Sequence, residues 1–176
     1  MKKLMSNLGF CLMAFTFKVR DLFVPRIEIL NEVGIKPGYK ILDYGCGSGS
    51  YINILADMVG KSGKIYGLDI NPLAIQMVQR IVAKNQLANV ETVLSERETG
   101  LLDESMNVVL LYDVLHDLSN PDKIIRELHR VLKSDGILSV SDHHLEDEDI
   151  VSRMTNEGFF RLLKKDILTC SFIKTK

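Results

Sequence analysis

Two acids and a run of alternate glycines are the first residues in this chain whose types and spacing suggest chemistry. Residues 41–51 read ILDYGCGSGSY, an apolar run, then Asp43, then Gly45, Gly47 and Gly49 at every second position. Without a Cβ, such a loop can adopt positive φ and expose its N–H groups, so a ligand can lie directly against the backbone. The third glycine of a dinucleotide-binding G-x-G-x-x-G would fall where Ser50 stands, and no GK[ST] follows for a triphosphate loop. Asp43 would repel a phosphate and suits a cationic ligand. Asp69 ends a second apolar run, 20 residues after Gly49, the spacing at which an acid can accept the hydroxyls of a ribose. Together the two acids ask for a ribose-bearing ligand that is not anionic beside the glycine loop.

The elements that must position these residues alternate along the chain. PRIEILNEVG reads as a helix with Pro25 near its start and Gly34 past its end. KILDY is a strand, SYINILADMV a helix stopped by Gly60, and KIYGLDI (64–70) a second strand. Asn71 and Pro72 supply the N-cap and first-turn proline of the next helix. VETVLS (90–95) and NVVLLYD (107–113) are the third and fourth strands, and Asn120 and Pro121 open DKIIRELHRVLK, closed by Gly136. ILSVSDH (137–143) is the fifth strand, EDEDIVSRMTNEG a short helix, and FFRLLKK and ILTCSFIKT are close enough to pair as a hairpin. Strands separated by helices imply right-handed crossovers and a parallel sheet. The unbroken apolar strands suit a sheet covered on both faces. The expected architecture is a three-layer α/β domain with a mostly parallel, seven-stranded sheet and one antiparallel strand in the C-terminal hairpin.

In such a sheet, ligands bind at the carboxyl ends of the strands. Candidate bases therefore follow strands four and five: His116, then Asp142, His143 and His144, with His116 and His143 the two singled out; histidine's ordinary pKa suits the task. His129 lies inside a helix and is read as structural. The acidic run 146–149 reads as the first turn of a helix.

Composition sets the outer bounds. A chain of 176 residues, 46% apolar and 26% charged, is most simply one globular domain. Its formal net charge of −1 provides no general attraction to nucleic acid or anionic membranes, so no nucleic-acid partner is expected. Cys11, Cys46 and Cys170 form no CxxC pair and no metal cluster with the four histidines; they read as free, buried thiols of a reducing, cytoplasmic compartment, and no metal ligand is assigned. Residues 1–24 begin with two lysines and an apolar stretch, but lack a small-residue cleavage site and are too short to span a bilayer. They are read as a helical segment, separate from the domain at 25–176, that serves either as a lid with an apolar pocket wall or as a homodimer interface.

S-adenosylmethionine, with a ribose, a sulfonium, an ammonium and a single carboxylate, satisfies the ligand requirement. ILDYGCGSG, GLDI, VETVLSE, DESMNVVLLYDVLHDL and RVLKSDG together resemble a class I S-adenosylmethionine-dependent methyltransferase, closest to the branch of the ubiquinone and menaquinone C-methyltransferases and small-molecule enzymes. The resemblance implies a Rossmann-like methyltransferase fold and S-adenosylhomocysteine as product. It assigns Asp43, Tyr44, Gly45, Cys46, Gly47 and Gly49 to the methionine part, Asp69 to the ribose and Ile70 to the adenine. Glu96, or in its place Ser95 or Arg97, would reach the adenine amino group. Tyr112 and Asp113, with His116, would lie at the methyl-donor centre. Asn107 replaces the Asp with which the fourth strand of this family usually begins, at the end far from the ligand, where it should alter only local bonding. The expected reaction is methyl transfer to a small, partly hydrophobic acceptor, because no NPPY-type segment follows strand four and no arsenic-type cysteine set is present. The alternative from another class is a non-catalytic accessory protein that keeps the cofactor pocket. A nicotinamide oxidoreductase is disfavoured by Ser50 and Asp43.

Overall fold

A computed structural model describes Gly9 and residues 26–175; the expectations for residues 1–24, including Cys11, lie outside the described residues apart from Gly9. The seven strands form one sheet in the order β3-β2-β1-β4-β5-β7-β6, with β1 Lys40–Tyr44, β2 Lys64–Asp69, β3 Val90–Leu94, β4 Met106–Tyr112, β5 Leu132–Ser141, β6 Phe160–Lys165 and β7 Cys170–Lys174. Strands β1 to β5 pair in parallel, and β7 runs antiparallel to both β5 and β6, as the short hairpin connection requires. The strand order reverses between β1 and β4, and this is where a doubly wound sheet opens a crevice for ligand.

Helices α1 Arg26–Val33, α2 Ile52–Val59 and α3 Pro72–Asn85 cover one face of the sheet, and α4 Pro121–Val131 and α5 Asp147–Thr155 cover the other. The period of two along the central strands sorts the core between these faces. Ile41, Val108 and Leu110 pack with Leu30, Leu55 and Val78. Their neighbours Leu42, Val109 and Leu111 pack with Ile124, Leu128 and Met154. Helix α4 contributes Ile124, Ile125, Leu128 and Val131, a single apolar stripe at helical spacing. Asn71 caps α3 as its sequence predicts, its side-chain oxygen accepting from Leu73 N at 2.9 Å.

One boundary differs from the expectation. Helix α4 ends at Val131 and β5 begins at once with Leu132, five residues before the predicted start. Leu132 is fully buried and pairs with Met106, and the ladder then shifts register so that Ile137 meets Val108. Gly136 is thus part of an irregular strand rather than a helix cap. A Cβ there would stand 2.7 Å from Leu132 Cδ1, so the glycine lets the bulged chain close over that buried side chain. Asn107 bonds locally, accepting from Lys40 N at 2.9 Å.

Candidate functional site

The glycine loop leaves β1 and turns directly into α2, tied down by the neighbouring strand. Gly45 N and Cys46 N both donate to the carbonyl of Leu68, at 2.8 and 2.9 Å. Gly45 has φ +80°, and a Cβ on it would lie 2.3 Å from Val114 Cγ2. Gly49 has φ +81°, and its Cβ would lie 2.9 Å from Ile81 Cδ1 and 3.0 Å from Val78 Cγ2. The first glycine therefore permits the loop to approach the β4 exit, and the last permits α3 to approach the loop.

The two acids of the loop side have distinct environments. Asp69 accepts from Gly47 N at 2.9 Å through Oδ2 and from Asn71 N at 2.8 Å through Oδ1. Each oxygen keeps a lone pair for a further donor, so the residue that shapes the loop can still accept the two hydroxyls of a ribose. Burial raises its pKa, against the backbone N–H groups that favour the anion. Asp43 is 2% exposed, and its Oδ2 is buried without a hydrogen-bond partner. Burial, with Asp69 adding to it and the Arg26 guanidinium opposing, pushes its carboxyl up to about 7. An orphaned buried carboxylate oxygen beside a bare backbone loop fits an ammonium group, which would restore both the missing donor and the missing charge. Ile70, next to Asp69, is 45% exposed and presents an uncovered aliphatic surface.

The remaining cofactor candidates divide. Cys46 lies buried at the loop, its thiol pushed up by burial. Tyr44 is buried in the core, and its hydroxyl donates to the carbonyl of Glu96 at 2.8 Å; it anchors the segment after β3. Ser95 N donates to the Asp69 carbonyl at 3.1 Å, and its hydroxyl accepts from Arg97 N at 3.3 Å. Both Ser95 and Glu96 border an open groove of about 760 Å³ alongside α4. That groove, though the larger, shares only these two residues with the expected cofactor set.

A smaller cleft of about 260 Å³ opens at the ends of β4 and β5. Arg26 and Tyr51 line one side of it, the Arg26 guanidinium lying over the Tyr51 ring at 4.6 Å and donating to its hydroxyl. Tyr112 lines it too, edge-on to Tyr51 with ring centroids 5.3 Å apart, and its hydroxyl is hydrogen-bonded to Ser139 Oγ at 2.9 Å. Asp113, Asp142 and His143 form a polar end. Here the strands cross-pair. His143 Nδ1 is 2.6 Å from Asp113 Oδ1, and His116 Nδ1 is 2.8 Å from Asp142 Oδ2, so each strand's histidine is held by the other strand's acid. Asp113 thus sits in the cleft against His143. The histidine candidates are brought together, with ring centroids 6.4 Å apart, but only His143 borders the cleft. His144 stacks between them, 4.2 Å from His116 and 3.9 Å from His143. His129 packs between Phe159 and Phe160, as a structural residue would. Asp142, expected only as one of the residues following strand five, joins the site through His116, a pairing that its place one residue past β5 does not disclose.

With this geometry in view, the comparisons with known proteins are direct. The family described as "Methyltransferase domain" matches residues 35–170. The chain belongs to that family. It is a class I S-adenosylmethionine-dependent methyltransferase domain, and family and fold imply S-adenosylmethionine as the cofactor. The fold is similar to that of an S-adenosylmethionine-dependent methyltransferase from Aquifex aeolicus, with a TM-score of 0.75 and 27% identity over 89% of this chain and 95% of that one. A demethylmenaquinone methyltransferase of Lactobacillus johnsonii is 27% identical over 140 residues, 78% of this chain and 57% of the relative. An arsenite methyltransferase of Halobacterium salinarum is 35% identical over 107 residues, 60% of this chain and 27% of the relative. The chain thus spans about half or less of the length of these curated relatives. Among the described residues, no helix is long and apolar enough to cross a membrane.

Proposed function

We propose that the domain transfers a methyl group from S-adenosylmethionine to a small, partly apolar organic acceptor held in the 260 Å³ cleft. The observation that carries this reading is the position of that cleft. It opens at the carboxyl ends of β4 and β5, beside the switch point whose other side holds the glycine loop, Asp43 and Asp69. Its lining combines the apolar Ile29, Ile150, Ile167 and Leu168 with the charged Arg26 and Asp147 and with the Asp113, Asp142 and His143 group. Such a shape favours an acceptor with an apolar body and one reactive oxygen, sulfur or acidic carbon over an inorganic oxyanion such as arsenite. Neither described cysteine lines it.

Asp43 and the N–H groups of the glycine loop would hold the methionine part, Asp69 the ribose and Ile70 the adenine, as the family resemblance implies. Bound S-adenosylmethionine would supply an electrophilic methyl on a sulfonium and leave as S-adenosylhomocysteine. Holding the acceptor in line with that methyl is the main service the protein must provide, on the order of several kcal/mol from orientation. The polar end of the cleft, where His143 stands, offers a route by which the acceptor's proton can leave. Residues 1–24 are proposed to close over this cleft or to join two copies.

The test combines calorimetry with turnover. S-adenosylmethionine and S-adenosylhomocysteine should both bind, and Asp69→Ala should abolish that binding. Labelled methyl groups should then pass to apolar phenols, thiols or carbon acids in preference to small polar ones. Silence with both adenosyl ligands would overturn the assignment, and binding without turnover on any acceptor would point to an accessory protein.

A further inference from the structure

The polar end of the acceptor cleft brings together three groups that bind metals. Asp113, Asp142 and His143 each offer a ligand atom, and these atoms lie within 4.8 Å of one another. The sheet itself sets this convergence. Tyr112 and Ser141 are paired in register at the ends of β4 and β5, so the next residue on each strand is an aspartate leaving beside the other. Asp113 N donates to the Ser141 carbonyl at 2.8 Å, which fixes the first of them. Around a six-coordinate ion with bonds of about 2.1 Å, adjacent donors are about 3 Å apart and opposite ones about 4.2 Å. The observed spread, 2.6 Å at the Asp113–His143 edge and at most 4.8 Å overall, is of that order.

Asp142 has the surroundings of a ligating carboxylate. Its side chain is fully buried. The N–H groups of His116 and His144 donate to it at 3.0 and 3.1 Å, and the His116 ring holds it at 2.8 Å. Outer partners of this kind orient metal-binding carboxylates and aim the remaining lone pairs inward. The shortest edge of the set, 2.6 Å between Asp113 Oδ1 and His143 Nδ1, is bridged by a proton that a cation would displace. All three residues line the acceptor cleft, so coordination positions not filled by protein would face the acceptor.

We propose that Asp113, Asp142 and His143 bind one divalent transition-metal ion at the end of the acceptor cleft, with His116 as the positioning residue behind Asp142. Mixed carboxylate and imidazole donors favour Mn²⁺, Fe²⁺, Co²⁺ or Zn²⁺ over Ca²⁺. The inference rests on the methyl-transfer reading and narrows its acceptor to one with a hydroxyl or thiol that can ligate the ion. Coordination releases the acceptor's proton to solvent. A lone pair on its oxygen or sulfur then forms the bond to the methyl carbon, as the carbon–sulfur electron pair returns to the sulfonium sulfur.

The full chain, stripped with a chelator and dialysed, is titrated with Co²⁺ while its visible ligand-field absorption is followed. Saturation at one equivalent is expected. Asp113→Asn keeps a residue type that tolerates the left-handed backbone at this position, φ +55°. It and His143→Gln should each weaken binding on the order of a hundredfold or more, His116→Gln on the order of tenfold, and His129→Gln not at all, with melting curves confirming that each variant is folded. Absence of saturable Co²⁺ binding, or binding unchanged in both Asp113→Asn and His143→Gln, overturns the site. Titration with S-adenosylmethionine on the same samples separates the two proposals. Co²⁺ binding without cofactor binding upholds the site and removes the methyltransferase reading. Cofactor binding and full turnover in chelator-treated protein that takes up no Co²⁺ does the reverse.

Discussion

Asp43 gives the sharpest test of how the cofactor side of the crevice is built. Its ordinary pKa of 3.8 is pushed up to about 7, first by burial, then by Asp69, with Arg26 acting in the opposite sense. A group whose pKa is higher in the folded state holds its proton more tightly there. Its contribution to stability is therefore fully present below pH 3.8 and is lost as pH rises through about 7. The whole shift corresponds to about 4 kcal/mol, and the portion lost between about pH 5 and 8 to between about 2 and 3 kcal/mol. Urea unfolding of the ligand-free protein across that interval should show the decline, and Asp43→Asn should remove it. Other titrating groups are common to both proteins, so the difference between the two curves isolates this carboxyl.

The same linkage predicts the behaviour of the cofactor. If the ammonium of S-adenosylmethionine stands against the Asp43 carboxylate, binding selects the ionised form. Affinity should then fall about tenfold for each pH unit below about 7. In Asp43→Asn it should be weaker near neutrality and flat with pH over the same interval. Parallel pH curves for wild type and variant, in stability or in cofactor affinity, would refute the reasoning and leave the buried acid with a structural role only.

Other substitutions test separate parts. Gly45→Ala should destabilise by roughly 1–3 kcal/mol from its positive φ alone, with a further steric cost against Val114; adding Val114→Ala should recover the steric share in urea unfolding but not the rest. Burial alone would raise the Glu127 carboxyl, but hydrogen bonds from Arg130 and Thr99 outweigh it and hold the group down to about 2. Its contribution is present above the ordinary 4.5 and lost as pH falls toward 2, so Glu127→Gln should lower stability by about 1 kcal/mol at neutral pH after solvent screening, the gap closing in acid. Tyr112→Phe leaves the buried Ser139 hydroxyl without its partner and should cost about 1–3 kcal/mol by thermal unfolding. Ile167 is 95% exposed at the hairpin tip yet borders the cleft. Ile167→Ala should leave stability within about 0.5 kcal/mol while raising KM for an apolar acceptor with kcat unchanged.

What the sequence disclosed follows from the range of the interactions involved. Strands β1 to β4 and their helices were legible because apolar period, Gly34, Gly60 and the Asn71–Pro72 pair are local signals. The start of β5 was not, because Leu132 joins the sheet only by pairing with Met106, 26 positions away in the chain. The loop acids were legible through their spacing, since Asp69 ends β2 and Asp43 stands one residue before the end of β1. The destination of Tyr44 was hidden, because its hydroxyl meets the Glu96 carbonyl, 52 residues further on. The cross-pairing at β4 and β5 was hidden for the same reason. His116 and His143 are visible as single residues after their strands, but which acid each one meets depends on the register between those strands.

That register explains why four aspartates near the strand ends have different partners. On the β1–β2 side, Asp69 is met by backbone N–H groups and Asp43 has a buried oxygen that nothing in the described chain satisfies. Backbone donors leave a carboxylate with spare lone pairs, and burial without a donor leaves it short of a cation; both conditions favour an external ligand that brings donors and positive charge. On the β4–β5 side, Asp113 and Asp142 are met by imidazoles as well as by backbone N–H groups. An imidazole can give its place to a metal ion or take a proton, as a backbone amide cannot. The proposed division of the crevice into a cofactor half and an acceptor half thus follows which aspartates face an imidazole, and the strand order puts the boundary between β1 and β4.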